Sequence, residues 1–204
     1  TDDSKDYLQG IFDTILNKDI ARRLNIADTV SLENVTKFLL HSIGNKISPT
    51  KIANTLKSAG KSVDQKTVDK YIKGLVDSML IYEAGRYNIK GKQFLSTQSK
   101  YYVVDVGMRN ALVKSSESDI GHILENIVYL ELKRRYKNVY VGEIDSGEVD
   151  FVSVNDNKYE YYQVSATTLD ENTLKRELAP FGKIKDNYPK YLLTLDDVFS
   201  NADY

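Results

Sequence analysis

The stretch from Glu125 to Ser165 constrains the fold of this chain most. A helical run carrying Glu125 is followed by three strand-like runs, Val139–Val141, Glu148–Val154 and Tyr159–Ser165. The middle run alternates, with Val149, Phe151 and Ser153 on one face and Glu148, Asp150, Val152 and Val154 on the other, so Asp150 shares a face with apolar residues. A half-buried carboxylate needs a partner or a role. Gln163 on the next strand can lie beside Asp150. The helix must pack Ile123, Leu124 and Ile127 against the sheet, so Glu125, Asp150 and Gln163 are expected to converge in one cleft.

Composition narrows what such a cleft can do. With 204 residues, 41% of them hydrophobic and 28% charged, the chain has room for two globular domains that each bury a core. No apolar run approaches the roughly 18 residues of a membrane helix. The acidic, amphipathic N-terminus is unlike a signal peptide. Zero cysteines exclude disulfides and thiol catalysis and fit a cytoplasmic protein. Two histidines, His41 and His122, argue against a histidine-based zinc site or a serine triad.

Charge is uneven along the chain. Residues 46–100 hold eleven Lys or Arg against Asp64, Asp69, Asp77 and Glu83, a balance of +7 inside a chain whose formal net charge is −1. A basic module of this kind is either a surface for nucleic acid or a solvated helical face.

The N-terminal half reads as helices. Asp6–Ile26 carries a one-sided stripe of Leu8, Ile11, Phe12, Ile15 and Leu16. Ser31 is placed to cap a second helix ending near Gly44, and Ser48-Pro49 opens a third. Ser62 with Gln65 can form the capping box of a fourth, running to Met79. Two short strands, Leu80–Glu83 and Arg86–Ile89, then flank a turn at Ala84-Gly85. Three helices and a hairpin in about sixty residues are the layout of a winged helix, in which the helix from Gln65 to Met79 would enter a major groove. Its polar side offers Lys66, Thr67, Lys70 and Lys73, and the wing offers Arg86, Lys90 and Lys92. Asp69 and Asp77 dilute that surface, so DNA contact and a protein-connecting role both stay open. Gly60-Lys61-Ser62 imitates the end of a phosphate-binding loop, but the first glycine of that motif would fall at Thr55, within a helix where a strand is required.

Gly91–Lys100 is polar and reads as a linker, which puts the boundary near residue 98, with domains at 1–98 and 99–204. Tyr101–Asp105 leads into the second domain as a strand. Leu169–Lys185 reads as a helical stretch bent at Pro180. Tyr191–Leu195 is nearly all apolar, as expected of a strand covered on both faces. The helix-strand-strand-strand order, with an acid on the helix, an acid on the second strand and a polar residue on the third, resembles the PD-(D/E)XK nuclease fold, which implies a fold that is α+β and α/β: a helical winged-helix domain followed by a restriction-endonuclease-like α/β/α domain with a mixed sheet.

Several of these runs together resemble a known family. Lys100–Asn110, Gly121–Leu132, Glu148–Val152 and Tyr162–Ser165 are similar to the C-terminal region of prokaryotic and archaeal AAA-type ATPases, a winged helix joined to a PD-(D/E)XK nuclease-like domain of unknown function. The resemblance covers essentially the whole chain. It implies an upstream ATPase domain of the same polypeptide, outside this sequence, as the place where ATP would bind, and a Thr1 that is not a natural start. Other implied partners are duplex DNA and, with oligomeric state left open, further copies of the chain; a membrane is not among them.

PD-(D/E)XK nucleases hold Mg2+ or Mn2+ with two carboxylates, and a lysine two residues beyond the last acid activates water. Here the resemblance assigns Glu125 and Asp150 as metal ligands. It sets Gln163 where an acid is expected and Ser165 where the lysine is expected, so the catalytic set Glu125, Asp150, Gln163 and Ser165 is degenerate. Glu131 rivals Glu125, since helical phase turns it toward the apolar arc. Asp150 can instead satisfy backbone groups or pair with Lys133 or Arg134. Three outcomes remain open: a silent nuclease fold serving as a DNA-binding or regulatory module, a weak metal-dependent endonuclease, and a different fold.

Overall fold

The computed structural model describes residues 2–114, 116, 119–145 and 147–197. Among them are seven α-helices and one six-stranded mixed sheet, an α+β chain. It divides into two compact units, Thr1–Glu83 with Gln98–Ser116, and Ala84–Thr97 with Glu117–Tyr204. Where sequence suggests one boundary near 98, the chain therefore passes between units three times.

The first unit is helical. α1 (Asp2–Thr14) continues into a π-helical segment (Ile15–Ala21), followed by α2 (Thr29–His41), α3 (Pro49–Ser58) and α4 (Gln65–Asp77). Short polar side chains fix the starts of α2, α3 and α4: Ser48 accepts from the Lys51 amide, Asp28 from Ser31, and Asp64 from Thr67. For α2 and α4 the caps are thus Asp28 and Asp64 rather than Ser31 and Ser62, because a charged carboxylate makes the stronger bond to an orphan amide. Apolar residues at helical spacing, among them Phe12, Ile20, Leu32, Val35, Ile72 and Leu75, are buried. Gly74 lets α4 approach the π-helical segment, since a Cβ there would lie 2.8 Å from Ile20 Cγ2.

Two long strands come next, β1 (Ile81–Asn88) and β2 (Gln93–Val103). β1 runs straight through the expected turn at Ala84-Gly85, where Ala84 is fully buried. The turn lies at Asn88–Lys92, closed by the Gly91 amide donating to Asn88 Oδ1 at 2.6 Å. The expected linker is thus the first part of β2. Its far end stays with the first unit, where Ser99 pairs with Ile47, and leads into α5 (Val106–Leu112), capped by Asp105.

The second unit contains α6 (Ile120–Arg135), β3 (Val139–Ile144), β4 (Gly147–Asn155), β5 (Lys158–Ser165), α7 (Glu171–Leu178), a 3-10 turn (Phe181–Lys183) and β6 (Lys190–Thr194). Sheet order is β2-β1-β3-β4-β5-β6. β1 pairs with β3 and β5 with β6 in parallel, while β3–β4 and β4–β5 are antiparallel. Val149, Val152, Tyr159, Tyr161, Phe181 and Ile184 form part of one apolar cluster. β6 is an edge strand and is not covered on both faces, with Tyr191 42% and Leu193 37% exposed. Its apolar side chains are partly accounted for by Tyr191 stacking on Tyr162. No helix among the described residues is long and apolar enough to cross a membrane.

Candidate active site

Helix α6 supplies the first wall of a cleft in the second unit. Its buried positions are Glu125, Asn126, Tyr129 and Leu132, and Tyr129 packs on Phe151 of β4 with ring centroids 5.5 Å apart. The helix is therefore rotated from the phase expected of Ile123, Leu124 and Ile127: Ile127 is 50% exposed, while Glu125 is only 8% exposed. The rotation decides between the two candidate acids. Glu131 lies on the solvent side and accepts from Arg134 and Arg135. Those two guanidinium groups hold its carboxyl down to about 2. Glu125 faces the cleft, with His122 Nδ1 3.9 Å from its Oε2.

Strand β4 carries a bulge at this point. Tyr140 is opposite Val152 and Gly142 opposite Val149, so two steps along β3 match three along β4, and one residue of the Asp150-Phe151 pair is extra. The bulge reverses the parity of the strand. Val149 and Val152 share one cluster, whereas Phe151 turns to α6 and Asp150 lines the cleft with Glu125. The strict alternation expected from sequence, with Asp150 on the face of Val152, does not hold across the bulge. Gly142 stands opposite: a Cβ there would lie 2.9 Å from Ile89 Cδ1 and 3.1 Å from Val149 Cβ.

Beyond the paired residues Phe151 and Tyr162, side chains tie β4 to β5. The Asp150 amide donates to Gln163 Oε1 at 3.0 Å, and the Val164 amide donates to Asp150 Oδ2 at 2.8 Å. Gln163 Nε2 reaches Glu177 Oε2 of α7 at 3.3 Å. Ser165 donates to the Thr167 carbonyl at 2.9 Å. Lys133 and Arg134, the sequence-level alternatives for pairing with Asp150, bond to the Lys137 carbonyl and to Glu131.

The cleft encloses about 480 Å3 and is lined by Glu125, Asp150, Ser165, His122 and three α7 residues, Thr173, Arg176 and Glu177. The α7 residues were missed from sequence, where that segment was read only for its apolar spacing. Arg176, paired with Glu177 at 2.8 Å, brings the cleft a cation. Of the residues that the nuclease resemblance gives to a divalent metal, Glu125 and Asp150 both line the cleft. Among the described residues, no three His, Asp or Glu side chains are grouped to hold one, one Asp150 oxygen is committed to a backbone amide, and Gln163 is neutral.

The basic residues read as a nucleic-acid surface separate between the units. Lys66, Lys70 and Lys73 are exposed on α4 with Asp69 and Asp77, and Thr67 is held by Asp64 through both its amide and its hydroxyl. Arg86, Lys90 and Lys92 belong to the second unit. Arg86 pairs with Glu143 at 2.8 Å, Lys90 with Asp145 at 2.8 Å, and Lys92 stands 5.5 Å over the Tyr159 ring.

Residues 1–119 match the family model described as Domain of unknown function (DUF8612). An uncharacterized protein of Haemophilus influenzae is 41% identical over 187 residues, which is 92% of this chain and 46% of that protein. Uncharacterized protein MJ1544 of Methanocaldococcus jannaschii is 34% identical over 199 residues, covering 95% of this chain and 42% of that protein. The chain thus spans less than half the length of these relatives. The crystal structure of protein VC1899 from Vibrio cholerae aligns with 92% of this chain and 48% of its own at 10% identity, with a TM-score of 0.28, too low to carry an argument.

Proposed function

The chain belongs to the family described as Domain of unknown function (DUF8612), and from the geometry of its second unit we propose a nuclease-like module that has lost hydrolysis. In this proposal it serves as a DNA-binding or regulatory portion of a prokaryotic AAA-type ATPase. The exchange of hydrogen bonds between Asp150, Gln163 and Val164 carries the proposal. A carboxylate that activates a metal or water must present its oxygens to the cleft. Here Asp150 Oδ2 takes the Val164 amide, and Gln163 closes on the Asp150 amide and on Glu177. Ser165 offers a hydroxyl where a general acid-base group would contribute about a hundredfold to ten-thousandfold. The helix and three strands with Glu125, Asp150 and Gln163 drawn together support the PD-(D/E)XK assignment.

A plasmid-nicking assay with manganese tests the loss of hydrolysis. The wild type, Glu125→Ala and Asp150→Ala are all expected to leave supercoiled DNA intact. Nicking by the wild type that disappears in both variants would establish the alternative, a metal-dependent DNA endonuclease.

The first unit carries the DNA-binding part of the proposal. Three helices followed by a strand that returns to pair with Ile47 support a winged helix, with α4 presenting Lys66, Lys70 and Lys73 to phosphates. Arg86 and Lys90 drop out of that surface because Glu143 and Asp145 engage them. Binding to duplex DNA should be weak, indifferent to sequence and steeply weakened by salt, since each lysine–phosphate contact releases counterions. Fluorescence anisotropy at low and moderate salt reads this directly. Unchanged binding after Lys66→Glu, Lys70→Glu and Lys73→Glu together would refute it.

The ATPase setting rests on the sequence resemblance alone. A gene whose reading frame carries a phosphate-binding loop before Thr1 is the expected finding, and this chain by itself should not hydrolyse ATP.

A further inference from the structure

A second cleft in the same unit, of about 630 Å3, is lined by Ile89, Lys90 and Lys92 beside β1, by Ile144 and Asp145 at the end of β3, and by Lys183–Asp186 ahead of β6. Its size is in the range of about 300–1,000 Å3 typical of small-molecule sites. The three isoleucines are buried and belong to the unit's core, so they give the cleft a firm apolar floor. Four lysines stand at its rim against two aspartates.

Both aspartates are already engaged. Asp145 Oδ2 is 2.8 Å from Lys90 Nζ. Asp186 accepts from the Tyr161 hydroxyl at 2.6 Å and from the Tyr188 amide at 3.2 Å. With four lysines against two aspartates the rim keeps an excess of positive charge, and Lys92 and Lys185 are both exposed. Lys92 is set over Tyr159, whose hydroxyl is 3.1 Å from that of Tyr87. Next to it Phe94 is 65% exposed, its ring 5.4 Å from Tyr87 and 5.0 Å from Tyr140.

These features select a ligand by chemistry. An inorganic anion would leave the isoleucine floor unused, and a neutral apolar molecule would leave the lysines unpaired. A nucleotide carries both parts, a flat base for an apolar or aromatic surface and phosphate for ammonium groups. We propose that this cleft binds a nucleotide unit, its base against Ile89, Ile144 and Ile184 and its phosphate on Lys92 and Lys185. The unit comes either from a free nucleotide or from one residue of a single-stranded nucleic acid. This site is separate from the Glu125–Asp150 cleft and from the α4 lysines, and it stands whether or not the nuclease-like assignment survives.

Isoleucine-methyl NMR and binding titrations on the full chain test it, with ATP, a short oligothymidylate and pyrophosphate as probes. ATP or the oligonucleotide should shift the methyl signals of Ile89, Ile144 and Ile184. Affinity for ATP should fall by at least about tenfold in Lys92→Glu/Lys185→Glu. Methyl shifts with ATP identify a free nucleotide as the source, and shifts with the oligonucleotide alone identify a strand. Three results would each overturn the proposal: silent methyls with both probes, a charge-reversed protein that binds like wild type, or pyrophosphate binding as tightly as ATP. Should charge reversal disturb the core methyl spectrum, Lys92→Ala/Lys185→Ala replaces it with the same expected loss.

Discussion

In the first unit the starts of α2, α3 and α4 are set by a side chain three residues before the amide it caps; in the second, the placement of the candidate groups depends on contacts far apart in sequence. Ser48 fixes α3 through Lys51, a purely local device. Asp150 reaches its cleft only because β4 bulges opposite Gly142, and Glu125 only because Tyr129 rotates α6 onto Phe151. Local devices lose one bond when altered. Register devices move everything that follows them, since a strand changes face with every residue.

The sharpest way to break that contrast is to place the same methyl group in each unit. Gly142→Ala drives a Cβ against Ile89 and Val149 and should cost about 2 kcal/mol of unfolding free energy in urea titrations. Gly74→Ala meets Leu24 Cδ1 at 2.7 Å and the β-branched Ile20 Cγ2 at 2.8 Å but regains about 1 kcal/mol of helix preference, so its net cost should be smaller by about that amount. Equal costs would mean that the bulge yields as easily as a helix contact.

Next in size is Gln163→Ala, which removes the acceptor used by the Asp150 amide and should cost about 1–2 kcal/mol. Hydrogen exchange at Asp150 and Val164 should rise together in this variant. Exchange that rises at Asp150 alone would show that the two bonds across β4 and β5 are independent.

Ser48→Ala should cost about 1 kcal/mol, read by thermal unfolding, with faster amide exchange confined to the first turn of α3. Loss of protection in β3–β5 would deny the locality claimed for the first unit.

The smallest effect is in Glu131. Its folded carboxyl is held at about 2 by Arg134 and Arg135, below its ordinary value, so the contribution is present above about 4.5 and fades as pH falls through about 2. Glu131→Gln should therefore lower the melting temperature slightly at pH 7, where the contribution is present, change little at pH 2, where it is already lost, and so flatten the acid limb between pH 5 and 2. An unaltered acid limb would show that this exposed trio contributes nothing to folding.

What could be read in advance follows the same division. The helices, the Ser48 cap and the strand-like runs of the second unit were visible, because propensity and period are local. Asp28 and Asp64 were passed over as caps in favour of nearby serines, although each stands three residues before the amide it accepts. β2 was read as a linker because its first residues, Gln93–Thr97, are mostly exposed and carry no alternation. β6 misled in the opposite sense, an apolar run that lies at an edge. The bulge at Asp150 could not be foreseen, since period-two alternation has no sign for a residue without a partner across the ladder. Of Glu125, Asp150 and Gln163, expected in one cleft, the first two line it, while Gln163 lies beside Asp150 and bonds to its amide, since adjacent strands bring those two together. Arg176 and Glu177 were not foreseen, since no spacing links α7 to β4.

The three passages of the chain between its units bear on how such a protein can be inherited. A cut at residue 98 looks like a clean joint, yet it leaves Arg86, Tyr87 and Asn88 on one side and their partners Val141, Gly142 and Glu143 on the other. A fragment starting at 99 would expose β3 as a raw sheet edge open to pairing with any passing strand, and would leave Gly142 without Ile89 above it. Recombination at a single crossover therefore cannot exchange one unit for a foreign counterpart.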